Sequence, residues 1–114
     1  MNHQKLKCYA VLLETAKRMP SLVAKMPRGH SHLVDQLERA LSSAILNLSE
    51  GNGRTSPKER ARFFDISLAS IAETSSAIDI MQAFRLVSIA EGDEIHSSLK
   101  IAYAMIVRLK RSRI

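Results

Sequence analysis

A chain of 114 residues that is 46% hydrophobic but only 4% aromatic, with no tryptophan, makes one domain with a core of Leu, Ile, Ala, Val and Met, which favour helices. Four glycines and three prolines are too few to turn an all-β fold, and the single Cys8 excludes an internal disulfide framework and fits a reducing cytoplasm. The net charge of +6 suits a polyanionic partner, and no run approaches the roughly 18 apolar residues of a membrane span, so the chain reads as cytoplasmic with no membrane partner.

In chain order, the first predicted helix covers His3 to Lys25, with Leu6, Ala10, Leu13 and Ala16 as its stripe and Leu12, Met19, Leu22 and Val23 widening it. Pro20 predicts a kink or a brief break there, and Met26-Pro27-Arg28-Gly29 ends the segment. The second helix runs from Ser31 to Glu50 on Leu33, Leu37, Leu41, Ala44 and Leu48, with Gly51 expected as its left-handed cap.

A capping box of Ser56, Pro57 and Glu59 opens the third helix, which carries Phe63, Phe64, Ile66, Leu68, Ile71, Ile78 and Met81 to about Phe84. The fourth, Glu91 to Arg111, spaces Ile95, Leu99, Ala102, Ile106 and Leu109 by fours and threes, with acids at its start and bases at its end. Short connections make this an all-α, antiparallel up-down-up-down four-helix bundle spanning residues 1–114 as a single domain. Small residues dense on helices two and three allow close approach. Surplus apolar positions (Ile45, Leu46, Ile101, Met105, Val107) point to a homo-oligomer.

Gly51-Asn52-Gly53-Arg54 invites comparison with a phosphate loop. It lacks the Gly-x-x-x-x-Gly-Lys-Ser/Thr order and follows a helix, so it reads as a tight turn. Asn47, Glu50, Ser70 and Glu73 read as a polar network tying this turn to its neighbours. They stand without a nucleophile that would make them acid–base catalysts. His30 and His32 lack the Cys or carboxylate companions of a metal site, and Arg28 lies too close to them for the Arg–His spacing of helical ribonucleases. Cys8 reads as a core thiol. No catalytic residue, metal or cofactor is expected.

The stretch Leu46-Asn47-Leu48-Ser49-Glu50-Gly51-Asn52-Gly53-Arg54-Thr55-Ser56-Pro57-Lys58-Glu59, followed by Arg62-Phe63-Phe64 and Ser67-Leu68-Ala69-Ser70-Ile71-Ala72-Glu73, resembles the four-helix-bundle family of ribosomal-RNA intervening-sequence proteins. Asn47, Glu50, Gly51, Gly53, Arg54, Ser56, Glu59, Phe63, Ser70 and Glu73 match the family pattern in register. Ser49 and Ser67 replace its alanines and Ala69 its glycine. Pro20 and Met26-Pro27-Arg28-Gly29-His30 are similar to one branch, the accessory variability determinant (Avd) of diversity-generating retroelements. The resemblance implies a homopentameric ring of bundles with a basic surface that binds RNA or DNA and a reverse transcriptase, supporting mutagenic copying of a template.

The bundle topology gathers Lys5, Lys7, Arg54, Lys58, Arg60, Arg62, Arg108, Lys110, Arg111 and Arg113 at one pole against Glu50 and Glu59, ten cations less two carboxylates, or +8. The opposite pole carries +1 and the middle −3. These ten side chains are the expected nucleic-acid contacts, with no aromatic platform for base stacking. The competing reading is a structural or protein-interaction oligomer without a nucleic-acid role.

Overall fold

The computed structural model describes the backbone of residues 3–112 and the side chains of residues 5–112; Arg113 lies outside the described residues. Five helical segments follow in order: α1 (His3–Lys17), α2 (Met19–Ala24), α3 (Ser31–Gly53), α4 (Pro57–Ala83) and α5 (Ile89–Arg111). No strand occurs among the described residues. Helix α1 packs on α3 and α5, and α4 completes the square by packing on both as well. The result is an up-down-up-down bundle measuring 45 × 22 × 19 Å.

The predicted first helix is two. The chain breaks at Arg18 because Pro20, in the first turn of α2, cannot continue the hydrogen-bond ladder of α1. The buried stripe also differs from the one predicted. Cys8, Leu12, Thr15, Met19 and Leu22 face the core, whereas Leu6 and Ala10 are exposed. Two weakly hydrophobic residues supply the shift. The Cys8 thiol contacts Ala102 O at 3.7 Å, and the Thr15 hydroxyl donates to Val11 O at 2.9 Å, so both groups are buried with partners. Burial pushes the Cys8 thiol up to about 12.

Helices α3 and α5 bury all the predicted stripe residues, and Phe64, Leu68, Ile71, Ile78 and Met81 of α4 join them. Where α3 meets α4, small side chains form a polar ladder inside the contact. Ser67 Oγ donates to Ala44 O at 2.7 Å, Ser43 and Ser70 hydroxyls share a hydrogen bond of 2.8 Å, and Asn47 Nδ2 donates to Ser43 O at 2.8 Å. The expected network therefore exists around Asn47 and Ser70. It excludes the other two candidates: Glu50 turns to Arg54, and Glu73 lies exposed on the outer face of α4.

The link between α4 and α5 is a Schellman cap with an unusual occupant. Leu86 N donates to Met81 O and Arg85 N to Gln82 O, while Arg85 adopts a φ of 60°. Ser88 then caps α5 by accepting from Glu91 N at 3.1 Å, which starts that helix two residues before the predicted Glu91. At the α2–α3 turn, Gly29 takes the left-handed conformation (φ 97°) that a side chain would strain.

Candidate nucleic-acid interface

The Gly51–Arg54 stretch is not the turn its sequence suggests. Helix α3 continues through Gly53, and Gly51 is buried within it with an ordinary helical φ. Its lack of a side chain serves packing. A Cβ at Gly51 would sit 2.5 Å from Phe64 Cε1 and 2.6 Å from Cδ1, so the glycine seats the Phe64 ring of α4. The reversal itself is confined to Arg54, Thr55 and Ser56. There Ser56 Oγ accepts from Glu59 N at 3.4 Å, as the capping box predicts. The Glu59 carboxylate lies 3.5 Å from Arg54, which also binds Glu50 at 3.0 Å.

This turn, the start of α1 and the end of α5 share one pole of the bundle. One carboxylate belongs there that the sequence reading placed mid-bundle: Asp65 pairs with Lys110 at 2.6 Å. Lys5, Lys7, Arg54, Lys58, Arg60, Arg62, Arg108, Lys110 and Arg111 thus face Glu50, Glu59 and Asp65, nine described cations less three carboxylates, or +6. Among the described residues, Lys58, Arg60, Arg62, Arg108 and Arg111 have no carboxylate partner.

The opposite pole is arranged differently. Arg18 pairs with Glu94, and Lys25 with Glu91 at 3.0 Å across α2 and α5. The Lys25 ammonium holds the Glu91 carboxyl below its ordinary value. Positive charge is neutralised locally at that end and left in excess at the basic one.

Helix dipoles account for only part of this excess. Arg108, Lys110 and Arg111 lie in the last turn of α5, where cations are favoured. Lys58, Arg60 and Arg62 lie in the first two turns of α4, whose N-terminus favours anions. Lys58 and Arg60 are held there against the dipole, and Arg62 follows in the next turn.

One aromatic ring stands in the pole, covered by arginines. Phe63 is half-buried with the Arg54 guanidinium 5.0 Å and the Arg62 guanidinium 4.6 Å from its centroid. The two arginines occupy the ring, and their guanidinium planes are themselves surfaces on which bases stack.

A Ser-His-Asp set escaped the sequence reading, because its members come from two helices and only their i,i+4 half was visible. Ser75 Oγ lies 2.9 Å from His96 Nδ1, and His96 Nε2 lies 2.9 Å from Asp79 Oδ1 without hydrogen-bond alignment. Ser75 sits mid-α4, where the surrounding backbone N–H groups are consumed by the helix and none is free to form an oxyanion hole. The set ties α4 to α5. Of the other histidines, His30 is the N-cap residue of α3 and His32 is exposed. No group of three His, Cys, Asp or Glu side chains suited to a metal occurs among the described residues. No helix among them is long and apolar enough to cross a membrane.

A search of curated proteins finds no match to the chain. The family model described as 23S rRNA-intervening sequence protein matches residues 4–108. That span takes in all four bundle helices, the Gly51 seat for Phe64 and most of the basic pole, and the chain belongs to the 23S rRNA-intervening sequence protein family.

Proposed function

We propose that the protein is a non-catalytic, oligomeric accessory factor that binds RNA or DNA through its basic pole. In this reading it works in the cytoplasm beside a reverse transcriptase, as in the Avd branch of diversity-generating retroelements. The observation that carries the reading is the trio Lys58, Arg60 and Arg62, placed against the α4 dipole and without carboxylate partners among the described residues. Dipole complementation accounts for the α5 cations but not for these three, of which Arg60 and Arg62 also lie against the Phe64 and Phe63 rings. The Pro20 break and the left-handed Gly29 are the structural counterparts of the two stretches that resemble the Avd branch.

Assembly into a ring, a pentamer in this reading, multiplies the pole by the subunit number. Leu46, Ile101 and Tyr103 are 65%, 55% and 42% exposed, more apolar surface than a lone bundle needs. A groove of about 560 Å³ between α4 and α5, walled by Ala69, Ala72 and Tyr103, is shaped to take side chains of a neighbouring subunit. The same features support a second reading, a structural or protein-interaction oligomer with no nucleic-acid role.

Binding of single-stranded RNA across a salt series separates the two. The first reading gives affinity that falls steeply with salt, with a log–log slope of about −0.7 per phosphate neutralised. Replacing Lys58, Arg60 and Arg62 by Gln then flattens that slope at unchanged helicity and oligomeric state. No retention at low salt would leave only the structural reading.

A further inference from the structure

Within the basic pole a cavity of about 450 Å³ opens between the start of α4 and the end of α5. Its walls include Arg60, Lys110 and Arg111 as cations, and Phe64, Ala61 and Leu109 as apolar sides. Among the described residues no carboxylate lines it. Lys110 is already shared with Asp65 at 2.6 Å, so Arg60 and Arg111 supply the uncompensated charge.

Arg60 is the unusual member. Its guanidinium rests 5.9 Å from the Phe64 centroid, and its Nε and Nη2 are enclosed without a hydrogen-bond partner among the described residues. Enclosed, unsatisfied donors on a charged group are costly, and a native fold rarely retains them without a use. The helix end itself offers an anion few free N–H groups. Pro57 has no N–H, Glu59 N is taken by Ser56 Oγ, and Arg60 N by Ser56 O at 2.9 Å. Apart from Lys58 N, an anion entering the cavity therefore meets side chains only.

We infer that this cavity seats a terminal phosphate group, a phosphomonoester dianion, with Arg60 turning toward it as the recognising residue and Arg111 at the rim. The inference rests on the reading of this pole as a polyanion surface and adds a preference for a chain end. An internal phosphodiester carries chain on both sides and meets the apolar walls of Phe64 and Leu109. A terminal phosphate carries chain on one side only and a second negative charge. Guanidinium bonding to phosphate is bidentate when Nε and Nη2 act together, the two donors left open here.

The test compares a short single-stranded oligonucleotide bearing a 5′-phosphate with the same strand ending in 5′-hydroxyl, by fluorescence anisotropy at fixed salt. The phosphorylated strand binds about tenfold tighter, the equivalent of one charge-assisted hydrogen bond. Arg60→Gln removes that difference: both strands weaken as one pole cation is lost, and the phosphorylated strand loses about tenfold more. Ala61→Leu, which fills the cavity and keeps Arg60, removes it too. Equal affinity for both ends in the wild type overturns the seat and leaves the polyanion reading standing.

A second measurement separates the two failures. Inorganic phosphate, titrated against the Arg60 Nε–Hε resonance, shifts it saturably in the wild type and not in Ala61→Leu. If that shift occurs while neither strand binds at low salt, the polyanion reading fails and the seat stands for a small phosphate ester. If phosphate produces no shift and no end preference appears, the seat is overturned.

Discussion

The two glycines of Gly51-Asn52-Gly53 look equivalent in sequence, and the fold assigns them opposite sensitivities. Both lie in α3 with helical φ, so replacing either by alanine gains about 1 kcal/mol of helix propensity. Their surroundings differ. A Cβ at Gly53 meets nothing within 4 Å, whereas at Gly51 it meets two carbons of Phe64 at 2.5 and 2.6 Å. That is about 1 Å inside the usual carbon–carbon separation of ~3.5–4.0 Å. Phe64 is 1% exposed, so shifting its ring off Gly51 breaks contacts in a packed core. Overpacking of this kind costs up to about 3 kcal/mol, so Gly51→Ala is expected to lose about 2 kcal/mol net and Gly53→Ala to gain up to about 1. Urea unfolding at fixed protein concentration measures both, as a loss and a gain in midpoint near 1 M and 0.5 M respectively, for a slope of about 2 kcal/mol/M. Phe64→Leu, which withdraws the ring, should make Gly51→Ala less costly by at least 1 kcal/mol in a double-mutant cycle. A Gly51→Ala protein as stable as the wild type, or a coupling energy near zero, would refute the seat.

Arg85 holds a left-handed φ of 60° at the end of α4 without being glycine, so Arg85→Gly should raise stability by about 1 kcal/mol, read as a higher thermal midpoint. Ser70→Ala removes the 2.8 Å hydrogen bond to Ser43 between α3 and α4 and should cost about 1 kcal/mol by chemical denaturation. Cys8, buried and with its thiol pushed up to about 12, should resist iodoacetamide at pH 8 in the native protein and react on unfolding. Because the folded value lies above the unfolded one, near 9, this thiol favours the fold fully below pH 9. Its contribution is lost as pH rises toward 12.

The bundle was legible because its strongest signals are local. The Leu33–Leu48 and Ile95–Leu109 stripes are buried as their spacing predicts, and Ser56 caps α4 as the capping box requires. Failures occurred where a residue's role depends on a partner distant in sequence. Cys8 was read as a core thiol but left out of the α1 stripe, which turns toward it and Ala102 O of α5, 94 residues away. Gly51 was misread because a helix cap is local knowledge, while a seat for a ring 13 positions later is not. The Ser75–His96 contact spans two helices in the same way.

The basic pole shows how the two kinds of information combine. Sequence and topology alone assemble its cations, yet they cannot say which are structural. The ion pairs and helix directions make that division. Arg54 is bound into the turn by Glu50 and Glu59, Lys110 is tied to Asp65, and the α5 cations sit where the dipole favours them. Subtracting these leaves five cations, Lys5 and Lys7 near the start of α1 and Lys58, Arg60 and Arg62 near the start of α4, where positive charge is unfavourable for the isolated chain. The Arg60 donors are enclosed without a partner as well. In the proposed reading the offsetting negative charge comes from outside the fold, from a phosphate group that meets the Arg60 guanidinium at the start of α4.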